Sequence, residues 1–134
     1  KEGKERGLDW ETIGHKAVFN TGCMHGDGIK SRMDVPDSLV SFGNTFFTDD
    51  IRKIFEIEIK NIDENKLSLE YGHCPLVTAW KQIGVDDEML TKLCDIAMSG
   101  DRGIDSRFDG FEFHLGKTIA EGNPVCEVSF LRKK

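Results

Sequence analysis

The chain has no excess of positive charge: 18 Lys and Arg stand against 24 Asp and Glu, a formal net charge of −6 over 134 residues. Without a basic surface there is nothing to displace counterions from a phosphate backbone, so nucleic acid is excluded as the main partner. No apolar run approaches the roughly 20 residues that a bilayer-crossing helix needs. The opening KEGKERGLDW is also too polar for a secretion signal. A membrane partner is therefore not expected, and the cytoplasm is the expected location. CxxC pairs are missing as well; Cys23, Cys74, Cys94 and Cys126 are scattered, which in a chain without secretory marks speaks for free thiols over disulfides. There is no low-complexity run, internal repeat or dividing linker, so residues 1–134 read as a single domain with one core. The first residue is not Met and the chain opens within a charged, helix-like stretch, so an upstream piece is expected.

What is present becomes legible from residue 51 onward. FEIEIK puts Phe55, Ile57 and Ile59 on one face and Glu56, Glu58 and Lys60 on the other; LSLEY repeats the alternation with Leu67, Leu69 and Tyr71. The polar NIDENK between them predicts a hairpin. Pro75 suits the first turn of a helix, where its missing N–H costs nothing, and Leu76, Ala79, Trp80 and Ile83 share a face before Gly84. Asp86, Asp87 and Glu88 predict the capped start of a second helix, with a stripe of Leu90, Leu93, Cys94 and Ala97 that ends near Gly100. GFEFHLG and VCEVSFL read as alternating strands around the turn-forming AEGNP. The expected fold is α+β, an antiparallel sheet from two hairpins packed against a central helical hairpin, with residues 51–134 as its core. Residues 1–50 are poorly defined. KEGKERGLDWETIGHKAVF suggests the end of one helix and the start of another, NTGCMHGDG reads as a glycine-rich loop, and VSFGNTFFTDD as a turn followed by an extended or mixed aromatic segment.

The candidate chemistry centres on YGHCPLVTAW. Cys74 falls at the N-cap of the helix opened by Pro75, where free N–H groups and the helix dipole favour a thiolate, and His73 beside it could add positive charge. The alternative is a Cys74 packed as a small hydrophobe and a solvated His73. Asp101 and Arg102 in SGDRG either cap and pair at a helix end or bring a carboxylate near Cys74. Trp80 is core or a pocket floor. Cys23 and His25 in the predicted loop are ligand-like, though one Cys-x-His pair is a weak signal. Cys94 and Cys126 are core filler or weak candidates for a divalent metal, which wants about four ligands. No cofactor is otherwise implied.

GHCPLVTAWKQIG, LCDIAMSGDRG and FEFHLGKTIAEGNPVCEVSF together resemble the L-2-amino-thiazoline-4-carboxylic acid hydrolase family over roughly residues 50–132. The second half also resembles the wider 4-vinyl reductase ligand-binding domains, through Cys94, Gly103 and the closing Gly122-Asn-Pro-Val-Cys126. This implies a 4-vinyl-reductase-like α+β domain with a small-molecule pocket between helices and sheet. Metal-binding members of that wider group look to carry a Glu and a Cys where this chain has Leu115 and Thr118, so of a four-ligand site the resemblance leaves Cys94 and Cys126. The hydrolase resemblance implies opening of a cyclic amidine by water to an N-carbamoyl product. In that scheme Cys74 attacks, His73 relays protons, Asp101 positions the amidine and Arg102 meets a substrate carboxylate, with Trp80, Cys23 and His25 as further substrate contacts. A non-catalytic small-molecule-binding or sensor domain is the rival reading, and a homo-oligomer is compatible with either.

Overall fold

A computed structural model describes residues 6–133. Its elements run α1 (Trp10–Arg32), α2 (Leu39–Phe46), α3 (Asp49–Ile54), β1 (Ile57–Ile62), β2 (Lys66–Tyr71), α4 (Pro75–Gln82), α5 (Asp87–Asp105), β3 (Phe111–Leu115), a 3₁₀ turn (Ile119–Glu121) and β4 (Cys126–Arg132). The fold is α+β, with four antiparallel strands in the order β1-β2-β4-β3. The two expected hairpins are therefore joined through β2 and β4, which pair from Lys66 opposite Leu131 to Tyr71 opposite Cys126. Alternation holds: Leu67, Leu69, Val128 and Phe130 are buried on the inner face. Asp63 fixes the first turn, its Oδ1 accepting the N–H groups of Asn65 and Lys66 at 2.8 Å each.

The first 50 residues differ from the expectation and complete the helical layer. NTGCMHGDG is not a loop; it lies wholly within the 23-residue α1, capped by Asp9. Its Gly22 and Gly26 face α5, and a Cβ built at Gly22 would stand only 2.1 Å from the Gly100 carbonyl oxygen, while one at Gly103 would stand 2.3 Å from that of Phe19. Each interior glycine costs a helix about 1 kcal/mol in propensity, and here the cost is offset by backbone-to-backbone packing that no side chain permits. VSFGNTFFTDD likewise forms α2 and the start of α3 rather than an extended segment, because Ser38 and Thr48 cap the two helices through the N–H groups of Ser41 and Ile51. Helix α5 also runs past Gly100 to Asp105, with α1 as its most extensive packing partner and α4 touching it far less.

Aromatic packing fills one end of the interior. Phe42 on α2 is fully buried and its ring lies 5.0 Å from Phe108, 5.0 Å from Phe111 and 4.9 Å from Phe130, centroid to centroid. Burying each such side chain stabilises the fold by roughly 1.5–3 kcal/mol. Glu64 fastens α2 to the sheet from outside, accepting the Leu39 N–H at 2.8 Å and meeting Arg132 of β4 at 3.1 Å.

Candidate functional site

At the other end of the sheet the interior is not filled. A cavity of about 340 Å³ opens between α1 and α5 above, β2 and β4 below, and α3 and α4 at its side. That volume lies at the lower end of the range for small-molecule sites. Most of its wall is carbon and sulfur, from Val18, Phe46, Phe55, Val77, Met98 and Val128 among others. The polar side chains among the described lining residues are Asp101, Tyr71, His25 and Thr21.

Asp101 is the first of these. The apolar stripe of α5 runs Leu90, Cys94, Ala97, then Ile104 at helical spacing, and Asp101 takes a place in that stripe where a hydrophobe would be regular. No hydrogen bond or ion pair reaches its carboxyl among the described residues. By accessible surface the residue is only partly buried, yet protein surrounds it, because the surface it keeps borders the cavity. Loss of hydration pushes its pKa from 3.8 to about 6, with the Arg102 charge pulling weakly the other way. Tyr71, the last inward residue of β2, lines the same space, and burial together with the Asp101 charge holds its phenol well above the ordinary value.

Three thiols join them. Cys74 is the N-cap of α4, half-buried, with φ −124° and ψ 106°; its side chain makes no capping bond, and the residue lines the cavity while packing on the cluster of Val77, Leu90, Cys94 and Ala120. Cys94 is buried, and desolvation with the neighbouring Cys126 and Cys74 raises its pKa to about 11. Cys126 is also pushed up by burial, opposed by the Ile119 N–H that donates to its Sγ at 3.2 Å. Cys94 and Cys126 therefore stay protonated near neutrality, and all three thiols belong to residues of the cavity wall. Among the described residues no three His, Cys, Asp or Glu side chains cluster as metal ligands. Leu115 is itself cavity wall, and the buried Thr118 is occupied in donating its hydroxyl to Glu121 at 2.7 Å.

Of the residues singled out in the sequence, Cys74, Asp101, His25, Cys94 and Cys126 meet at this cavity, His25 from its rim with its ring edge-on to Phe46 at 5.5 Å. Four do not. Arg102 is on the outer side of α5, its guanidinium 3.2 Å from Asp95 Oδ1, because one helical step of about 100° separates it from Asp101. His73 is half-buried outside the lining, its N–H donating to the Phe55 carbonyl at 3.0 Å. Trp80 packs on the small cluster of Val77, Leu90, Cys94 and Ala120. Cys23 sits against Ser106 Oγ at 3.4 Å on the α1–α5 seam. Sequence reasoning missed Phe46, Phe55 and Tyr71 as wall. For Tyr71 a signal existed, since it continues the inward positions of Leu67 and Leu69 and brings a hydroxyl to them.

Comparison with known proteins agrees with this architecture. The trafficking protein particle complex subunit 3 from Naegleria fowleri, whose crystal structure holds it covalently bound to palmitic acid, is similar with a TM-score of 0.59 and 13% identity, over 92% of this chain and 80% of that one. At such identity the likeness is one of fold. No curated protein matches the sequence. The family model described as L-2-amino-thiazoline-4-carboxylic acid hydrolase matches residues 1–130, and the chain belongs to that family.

Proposed function

We propose that the cavity binds a small molecule and that the chain hydrolyses a C–N bond in it, in a cyclic amidine or a related group. The observation that carries this is the meeting of a carboxyl with no partner among the described residues, Asp101, and the thiol of the N-cap residue Cys74 in one apolar cavity. Asp101 receives the amidine N–H groups and places the amidine carbon toward Cys74. The Cys74 sulfur adds to that carbon, its proton passing to the Asp101 carboxylate. As the C–N bond breaks, the departing nitrogen takes that proton from Asp101, whose pKa of about 6 suits it to give and recover a proton near neutrality. Water then attacks the Cys74-bound carbon and expels the thiol, with Asp101 taking the water's proton. One water is consumed and one C–N bond is lost. The family to which the chain belongs supports a hydrolytic reading.

The test is ring opening of simple cyclic amidines and of 2-amino-2-thiazoline, followed by mass spectrometry, with a thiol assay on the thiazoline product to separate C–N cleavage, which leaves an S-carbamoyl amine, from C–S cleavage, which frees a thiol. Cys74→Ser and Asp101→Asn are each expected to lose about 10²–10⁴-fold in rate with the fold retained. Turnover by Cys74→Ser at the native rate would sink the thiol mechanism.

A second reading is a non-catalytic module that holds an apolar ligand. It is favoured by the near absence of polar wall and by the fold neighbour's covalent palmitic acid. In that case Cys74 accepts an acyl group from an acyl thioester, with release of the donor thiol. An intact-mass adduct on Cys74 that hydroxylamine removes would support this reading over hydrolysis.

A further inference from the structure

We infer that the cavity selects a compact apolar ligand with a cationic amidine or amine head and no free carboxylate. The inference rests on the cavity being the ligand site and departs from the acid in the family's description. The charges around the cavity carry the argument. Among the described residues, Asp101 is the one carboxyl that lines the cavity, borders its open space and has no partner, and no Lys or Arg lines it. Arg102, next in sequence, is held outside by Asp95, where two bonds at 3.2 and 3.3 Å fix its guanidinium.

The titratable residues that share the cavity wall with Asp101 are Cys94 on its own helix and, from the other elements, His25 of α1, Tyr71 of β2, Cys74 at the N-cap of α4 and Cys126 of β4. Tyr71, Cys94 and Cys126 stay neutral at neutral pH, since burial raises all three. His25 is exposed at the rim, against Phe46. An incoming cation finds the Asp101 carboxylate in a wall that otherwise holds aromatic and aliphatic side chains, Phe46 and Phe55 among them. An incoming carboxylate leaves water to lie near a like charge among apolar walls, with no basic side chain in the lining among the described residues except the rim histidine. A zwitterionic amino acid derivative would satisfy one end and strand the other.

Isothermal titration calorimetry at about pH 7.5, where Asp101 is ionised, compares 2-amino-2-thiazoline, its 4-carboxylic acid and the methyl ester of that acid. The ester and the acid differ in little besides the negative charge. The parent ring and the ester are expected to bind, and the acid to bind at least about tenfold more weakly. Asp101→Asn, its fold checked by circular dichroism, should weaken the two cationic ligands at least about tenfold and bring acid and ester together. Equal or tighter binding of the acid by the native chain overturns the inference, as does failure of all three to bind. If the variant does not fold, the three ligands on the native chain still decide. Turnover is read separately. Cations that bind through Asp101 but are not opened would remove the hydrolase reading and leave this inference standing; an acid that binds and opens faster than its ester would do the reverse.

Discussion

The two ends of the interior obey different packing rules under one sheet. Around Phe42, rings on α2, β3, β4 and the loop after α5 close at centroid separations of 4.9–5.6 Å. Around Asp101 the same α5 and the same β4 leave about 340 Å³ unfilled. Protein interiors ordinarily pack like organic crystals, and empty volume forfeits dispersion contacts. The difference is therefore a division of labour: the phenylalanine end supplies stability, and the hollow end gives some up to keep space around one carboxyl and one thiol. Residues at the first end should affect folding without touching ligand binding, and residues at the second the reverse.

The largest effect is expected from Phe42→Ala. Removing this ring strips four aromatic contacts at a site with 0% exposure, and a loss of about 3–5 kcal/mol is expected by urea or thermal unfolding. Ligand affinity of the folded fraction should be unchanged. A fall in affinity with little loss of stability would erase the distinction between the two ends.

Gly22→Ala comes next. Its Cβ would lie 2.1 Å from the Gly100 oxygen, a backbone atom that cannot rotate away, so α1 and α5 must separate. Overpacking of this kind costs about 1–3 kcal/mol, and sometimes more, against a helix-propensity gain of about 1 kcal/mol. Since α1 and α5 also roof the cavity, this variant is expected to lose ligand affinity too, unlike Phe42→Ala. Gly28→Ala, with open space around its Cβ, is the control and should be neutral or stabilising.

These glycines also show where the sequence stopped being readable. Period-two alternation and turn residues located both hairpins, because one face of each strand is buried and the other solvated. Pro75 and Asp86 located the starts of α4 and α5 through local backbone chemistry. Neither kind of signal exists for α1: Gly22 and Gly26 argue locally for a loop, and only the opposing Gly100 and Gly103, some 80 residues on, reverse the argument. The cavity was half legible for the same reason. Cys74 is placed by its own neighbours, whereas the sequence offers Asp101 as a candidate without its setting, because Gly100 reads as the end of α5. Extending the stripe from Leu90 through Cys94 and Ala97 reaches Asp101 and Ile104, and would have exposed a carboxylate on an apolar face. Arg102 shows the converse: adjacency in sequence on a helix means divergence in space.

Asp101 gives the third test, through pH. Its carboxyl holds a proton up to about pH 6 in the folded chain, against 3.8 ordinarily, so between those values the folded state binds more protons than the unfolded. This group's contribution to stability is thus most favourable below about pH 4, falls as pH rises to about 6, and leaves a cost of about 1–3 kcal/mol at neutrality. Asp101→Asn should be more stable than native by that order at pH 7 and no different at pH 4. Asp105 is also pushed upward by burial, so the variant's profile should flatten without becoming level. An Asp101→Asn chain less stable than native at pH 7 would mean that the carboxylate has a partner in solution, and with it the case for an incoming cation would fall.

The smallest change in stability, and the sharpest contrast with Phe42→Ala, is expected from Ala97→Leu. Ala97 lies on the cavity face of α5 between Cys94 and Asp101, so three added carbons enter open volume instead of displacing packed neighbours. Added apolar contact is worth about 0.8 kcal/mol per methylene where it is fully buried, and fixing a new side chain costs some of that back. The net should lie within about 1 kcal/mol of native, on the stabilising side. Ligand binding, by contrast, should be abolished, because the added group stands beside Asp101 and takes up space the ligand needs. A destabilisation comparable to that of Phe42→Ala would show that the space is closed in solution and that the two ends are packed alike. A stable variant that no longer binds would separate them: one end where volume must be kept for the fold, the other where it must be kept from being filled.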